Sequence, residues 1–271
     1  MKDKRFLIVS TGVTPYLTEP SYTELAFKLA KSIRSTGGEV RIFMPRFGVI
    51  NERRLQLHEV IRLSGKNIVV DDEDIPLIIK VASIPKERMQ VYFIDSMENF
   101  NQKLFLKKED GSLREDISDF MVFFTKGVVE TANKLNWNAD YVIHMGWFTS
   151  LLPLYLKTYY KDNPLLAHTQ MMHVLVNDVH FEGELPGDLE SKFKFDELDP
   201  DMYKKFLPST EENLIKGASE LADILLIGEE NPEPFLQEIF ESYPNKKGKI
   251  TLELLENNPK IFKDILEQFQ T

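Results

Sequence analysis

The sequence predicts an α/β fold with a mainly parallel central sheet, and three observations carry that expectation. Short, continuous apolar runs alternate with stretches of helical periodicity along most of the 271 residues. Two such runs and the helical stretch between them fit into about forty residues, the size of a βαβ crossover, which is nearly always right-handed. The alternation is broken once, by consecutive strand-like segments between about residues 52 and 90.

In chain order, Phe6-Leu7-Ile8-Val9 has the unbroken apolar character of a parallel strand covered on both faces. A polar loop from Thr11 to Ser21 follows. Leu25, Ala26, Leu29, Ala30 and Ile33 then recur at helical spacing until Gly37-Gly38 ends the helix. Val40 to Met44 is a second strand, stopped by Pro45. This opening is that of a Rossmann-like domain. Leu57 to Leu63 and Pro76 to Val81 read as strands on either side of an acidic turn, Asp71 to Asp74, making a β-rich insertion before Val91 to Ile94 rejoins the sheet. Residues 101–114 read as a loop around Asp110-Gly111-Ser112.

A long helix is expected from about Asp116 to Leu135, with Phe120, Phe123, Phe124, Val128 and Ala132 on its inner stripe. Tyr141 to His144 is a strand, followed by a helix through Leu151 to Tyr159, and Leu165 to His168 begins another strand. The acidic, Pro- and Gly-bearing stretch 183–208 reads as loop. A helix from about Ser209 to Leu221, with Glu212 placed for a capping box behind Ser209, leads into a strand from Ile224 to Ile227. The expected organisation is one Rossmann-like domain over 1–250 and a carboxy-terminal helix within 251–271.

Composition excludes several function classes. With 42% hydrophobic residues the chain can build a sizeable core, and disorder is excluded. The 43 Asp and Glu outnumber the 33 Lys and Arg, and a net charge of −10 repels phosphate backbones, so a nucleic-acid partner is not expected. The absence of cysteine removes disulfides, thiolate catalysis and thiolate zinc sites. No apolar run approaches the ~18 residues of a membrane span, and the run after the basic amino terminus is short for a signal peptide. A soluble, cytoplasmic protein without a membrane partner is the expectation.

Four of the five histidines, His144, His168, His173 and His180, fall within one stretch. No His-Glu-x-x-His spacing is present, and no metal or cofactor is expected. His173 and His180 are the better ligand candidates, because they are expected around a strand's carboxyl end, where open α/β sheets present ligands. The first βα loop has one glycine, no Gly-x-Gly-x-x-Gly and no P-loop lysine, and its prolines and Glu19 oppose a phosphate cradle. The carboxylate runs Asp71 to Asp74 and Glu182 to Glu190 read as solvated loops. Trp147, just past a strand, could stack on a sugar or fill the core. The expected ligand cleft lies at the carboxyl ends of the strands and is lined by Thr11, Tyr16, Thr18, Trp147, His173 and His180.

Several stretches, in order, resemble the amino-terminal catalytic half of bacterial glycogen and plant starch synthases. Met44-Pro45-Arg46-Phe47-Gly48 is similar to that family's Leu-Pro-Lys/Arg-Tyr-Gly segment, and Val91-Tyr92-Phe93-Ile94-Asp95 with Phe100 to its Val-Tyr-Phe-Ile-Asp…Phe. Ala139 to Trp147, continuing through Leu152-Pro153-Leu154-Tyr155-Leu156, follows its Pro-Asp-Val-Val-His-Ala-His-Asp-Trp…Pro-x-Tyr-Leu. Leu214-Ile215-Lys216-Gly217-Ala218 with Ala222-Asp223 is similar to its Leu-Lys-Gly-Ala…Ala-Asp. The resemblance implies one half of a two-Rossmann-domain glycosyltransferase, with ADP-glucose or α-glucan as ligands and a partner chain or a homo-oligomer as a means of completing the site.

The chain departs from the family where the family meets its nucleotide sugar. Thr18-Glu19-Pro20-Ser21-Tyr22 stands in place of Lys-Thr-Gly-Gly-Leu, and Met145-Gly146 in place of His-Asp before the shared Trp147. The family's second domain also has no counterpart in residues 251–271. Two expectations follow: a synthase-like glycosyltransferase that is inactive alone, or a non-catalytic module that binds glucan or nucleotide sugar or regulates.

Overall fold

The computed structural model describes residues 1–96, 100 and 105–269. Among these residues ten strands form one sheet: β1 (Arg5–Ser10), β2 (Glu39–Pro45), β3 (His58–Glu59), β4 (Lys66–Val70), β5 (Glu73–Ile84), β6 (Met89–Ser96), β7 (Tyr141–Met145), β8 (Gln170–Leu175), β9 (Ile224–Ile227) and β10 (Lys246–Lys249). Their order is β10-β9-β8-β7-β1-β2-β6-β5-β3, with β4 paired to β5. From β10 to β6 every neighbour is parallel, and β5 then joins β6 antiparallel, with Leu77 opposite Ser96 and Ile84 opposite Met89. The β-rich insertion therefore extends the main sheet.

The helices are α1 (Tyr22–Ser35), α2 (Glu52–Leu55), α3 (Ile117–Lys134), α4 (Leu151–Lys157), α5 (Leu189–Phe195), α6 (Pro200–Tyr203), α7 (Glu211–Leu221), α8 (Pro234–Ser242), α9 (Leu252–Asn257) and α10 (Ile261–Gln268). Phe6, Leu7, Ile8 and Val9 are all fully buried, and successive strand residues point to opposite faces, so both faces of the sheet are covered. α1 packs with α9 and α10, and α3 with α4 and α5. Gly127 lets α3 approach the sheet closely: a Cβ there would lie 2.6 Å from Ile94 Cγ2.

β1 lies between β2 and β7, so the strand order reverses there and opens a crevice at the carboxyl ends. The loops converging on it are 11–21 after β1, 146–150 after β7, 176–188 after β8 and 228–233 after β9.

The local expectations need five corrections. Residues 164–168 form turns, and the strand begins at Gln170, which puts His168 before it. β3 holds only His58 and Glu59, and β4 was not expected. The 183–208 stretch contains α5, anchored by buried Leu189 and Phe193 and capped where the Asp188 side chain accepts from the Ser191 amide. α7 is capped by Thr210, whose hydroxyl accepts from the Asn213 amide, and not by Ser209. The region from Leu252 holds two helices, separated at Asn258–Lys260 around Pro259, which lacks the amide hydrogen a continuous helix would use. Part of the 101–114 loop and Gln270 lie outside the described residues.

Candidate active-site crevice

The crevice is organised by Asp178, three residues past the end of β8. Its Oδ1 accepts the Tyr22 hydroxyl at 3.0 Å and the Val179 amide at 2.7 Å, and its Oδ2 accepts the Trp147 amide at 3.0 Å. The Trp147 indole N–H donates to the Val179 carbonyl at 2.9 Å, and its ring meets Phe181 edge-on at 5.0 Å. Two of the four converging loops and the start of α1 are thus locked by one carboxylate and one indole. Burial raises the Asp178 pKa to about 6, against the pull of its three hydrogen bonds, and nearby Glu233 adds to the rise.

Gly146 makes the lock possible. Its φ is +81°, and a Cβ would lie 2.5 Å from Asp178 Oδ2 and 2.8 Å from the Tyr22 hydroxyl. Alanine would meet both the backbone penalty and the clash, so Gly146→Ala is expected to cost roughly 2–3 kcal/mol in urea unfolding. An unchanged midpoint would show that the loop adjusts without cost.

More carboxylates gather around this lock. The Asn177 amide donates to Glu229 Oε1 at 3.1 Å, and its side chain accepts the Glu233 amide at 2.9 Å, clasping the loops after β8 and β9. Burial raises the Glu229 pKa, and Glu230 and Glu233 add to the effect. Glu211 Oε2 accepts His180 Nδ1 at 2.7 Å, and its pKa is raised by burial with a further push from Asp178. Glu19 is exposed on the first loop and Glu24 lies in the first turn of α1. At the carboxyl ends of β2 and β6, Lys80 pairs with Asp95 at 2.8 Å and with Glu52 at 2.7 Å, and Arg46 pairs with Glu52.

Of the six residues expected to line the cleft, four are buried. Thr11 is fully buried at the start of the first loop, and the Tyr16 hydroxyl has no hydrogen-bond partner among the described residues, its pKa pushed up to about 12 by burial. Trp147 holds the lock from within. His173 lies within β8, short of its end, and stacks on His144 with ring centroids 4.4 Å apart and 9° between planes. Thr18 and His180 are exposed. His180 opens onto a cleft of about 520 Å³, lined also by Lys107, Lys108, Glu182, Glu184 and Phe181. Among the described residues no group of three or more His, Asp or Glu is placed to hold a metal ion.

Asp178, Glu211, Glu229 and Tyr22 were not among the expected site residues. The sequence carries a signal for Asp178, since Asn177-Asp178 is the first polar pair after an apolar run. Glu211 has no such signal, because its partner His180 is 31 positions away.

A parallel sheet with its crevice at this switch point is the architecture of a Rossmann-like glycosyltransferase half. The catalytic domain of starch synthase IV from Arabidopsis thaliana, solved bound to ADP and acarbose, superimposes with a TM-score of 0.70 at 15% identity, covering 92% of this chain and 51% of that one. A family model described as the starch synthase catalytic domain matches residues 5–232, and the chain belongs to that family. It is 29% identical over 222 residues to a glycogen synthase of Chlorobium limicola and 28% identical over 233 residues to one of Chlorobium luteolum. These alignments cover 82% and 86% of this chain but 45% of each relative, so the chain spans about half the length of the curated relatives it matches. No helix among the described residues is long and apolar enough to cross a membrane.

Proposed function

We propose that this chain recognises α-glucan through the synthase fold and does not by itself transfer glucose from ADP-glucose. It acts in the cytoplasm as a glucan-binding or regulatory module, as a homo-oligomer or beside a partner chain that supplies donor-side groups. The observation that carries this reading is the charge gathered at the strand ends: Asp178 after β8, Glu229, Glu230 and Glu233 after β9, Glu211 at the start of α7, and exposed Glu19 on the first loop. Departure of a nucleoside diphosphate builds negative charge, which cations or free amides must receive. Here Arg46 and Lys80 are engaged with Glu52 and Asp95, and Pro20 has no amide hydrogen.

A neutral glucan suits the same surface. Its hydroxyls donate to carboxylates and accept from lysines, and its ring faces need a small apolar floor. The His180 cleft offers Glu182, Glu184, Lys107 and Lys108 over Phe181, Leu113 and Pro186. ADP and acarbose are both bound by the Arabidopsis catalytic domain, and the charge of this crevice opposes the first of them.

The test is electrophoresis through native gels with and without glycogen, supported by calorimetry with maltoheptaose. Glycogen should retard the protein, and Lys108→Ala with Glu184→Ala should weaken binding severalfold. Equal mobility in both gels, with no heat from maltoheptaose, would overturn the proposal.

A further inference from the structure

A concentration of positive charge lies at the opposite end of the sheet. An open cleft of about 580 Å³ is lined by Arg34, Arg41, Lys86, Arg88, Gln90 and Trp137, among others. Arg41 and Glu39 lie near the start of β2 and Gln90 near the start of β6, so the length of the strands separates this cleft from the carboxyl-end crevice. We propose that it is a second ligand site, for a small molecule bearing a phosphate group.

The guanidinium of Arg41 lies over the Trp137 ring, 4.1 Å from its centroid. A guanidinium carries its N–H groups in its own plane, a fork that recognises phosphate by two parallel hydrogen bonds. One Arg41 terminal nitrogen and the Trp137 indole nitrogen are buried without a hydrogen-bond partner among the described residues. Burial lowers the Arg41 pKa, Tyr92 and Glu39 offset this in part, and Arg5 and Arg62 add smaller pushes downward, so an anion here would stabilise the buried guanidinium charge.

The turn between β5 and β6 brings the other cations. Lys86 and Arg88 are exposed, form no ion pair among the described residues, and sit at φ +67° and +53°, a region that side-chain-bearing residues seldom adopt. Arg34 fixes this turn by donating to the Glu87 and Arg88 carbonyls at 2.8 and 2.6 Å. The nearby carboxylates are engaged: Glu39 with Arg5 at 3.5 Å and Glu87 with Lys31 at 2.7 Å. On a chain of net charge −10, four cations converging on one cleft run against the overall field.

Tryptophan fluorescence and calorimetry test this at low ionic strength, with inorganic phosphate, pyrophosphate and glucose 6-phosphate as probes and glucose as the uncharged control. Trp137 lines the cleft, whereas Trp147 is fully buried at the other end of the sheet. At least one phosphate probe should bind saturably and shift the emission, and glucose should not. Lys86→Gln with Arg88→Gln, both exposed, should weaken binding at least tenfold, and Trp137→Phe should abolish the optical signal. Lys205→Gln, outside the cleft, should leave binding unchanged. The absence of saturable binding by every phosphate probe would overturn the proposal, as would unaltered affinity in the Lys86/Arg88 variant. Binding of glucan at the crevice is measured separately, so the two readings stand or fall independently.

Discussion

Acidification from pH 7.5 to pH 4.5 is expected to destabilise this protein by several kcal/mol, and the stacked His144–His173 pair is the reason. The Ser219 hydroxyl donates to the Ile215 carbonyl at 2.8 Å, so at 3.0 Å from His173 it must accept the Nδ1 hydrogen. Thr149 likewise donates to backbone carbonyls and accepts from His144 Nδ1 at 3.3 Å. Both rings are therefore neutral Nδ1–H tautomers. His144 Nε2 is buried without a partner among the described residues, and a proton placed there would find no acceptor.

Burial lowers the His173 pKa to about 3, and burial with the charge of His173 lowers that of His144 well below its usual value. For a base with a depressed folded pKa, the contribution to stability is present above the unfolded value near 6.5 and is lost as pH falls toward the folded one. At pH 4.5 the unfolded chain has gained the proton and the folded chain has not, which costs about 3 kcal/mol for His173 alone. Asp178 works in the opposite sense. Its pKa is raised from 3.8 to about 6, so its contribution is present below about 4 and is lost as pH rises through 6. Glu211, Glu229 and Asp95, also raised by burial, act with Asp178, whereas Glu52 and Asp140, held low by their cationic partners, act with the histidines, and the expected net slope favours neutral pH. Urea midpoints across pH 4.5–7.5 should show this slope, and His144→Phe with His173→Phe should flatten or reverse it. A slope unchanged by those substitutions would refute the assignment.

Asp196→Asn is expected to be the most damaging single polar substitution, at about 3–5 kcal/mol. Lys126 on α3 and Asp196 after α5 are almost fully buried and paired at 2.5 Å. Lys126 also donates to the Val69 carbonyl at 2.7 Å, and Asp196 accepts the Tyr155 hydroxyl at 2.6 Å, so one pair ties β4, α3, α4 and α5 together. Burial already lowers the Lys126 pKa despite Asp196, and removing the carboxylate leaves the ammonium uncompensated. Lys126→Met combined with Asp196→Asn should cost less than the sum of the single changes. Strict additivity in that double-mutant cycle would contradict the pairing.

Most parallel strands were legible because burial on both faces leaves an unbroken apolar run, as in Phe6 to Val9 and Ile224 to Ile227, although β8 was expected five residues too early. That same property hid the site. When both faces are buried, periodicity cannot tell a residue facing a ligand from one filling the core, and His173 and Trp147 proved to be interior. β10, Lys246-Lys247-Gly248-Lys249, is a lysine-rich edge strand with no apolar signature, and such charge blunts an exposed edge. α5 was masked by acidic neighbours, although Leu189 and Phe193 anchor it four residues apart. Glu211–His180 and Tyr22–Asp178 join residues 31 and 156 positions apart, which no local pattern reveals.

Whether this chain alone transfers glucose is tested most directly by incubating it with radiolabelled ADP-glucose and glycogen, with and without cell extract. A carboxylate-lined crevice predicts no incorporation above the heat-killed control by the purified chain, since loss of even one charge-stabilising donor commonly costs ~3–4 kcal/mol in such reactions. Robust incorporation by the purified protein would contradict the account and show that this crevice receives the departing diphosphate after all.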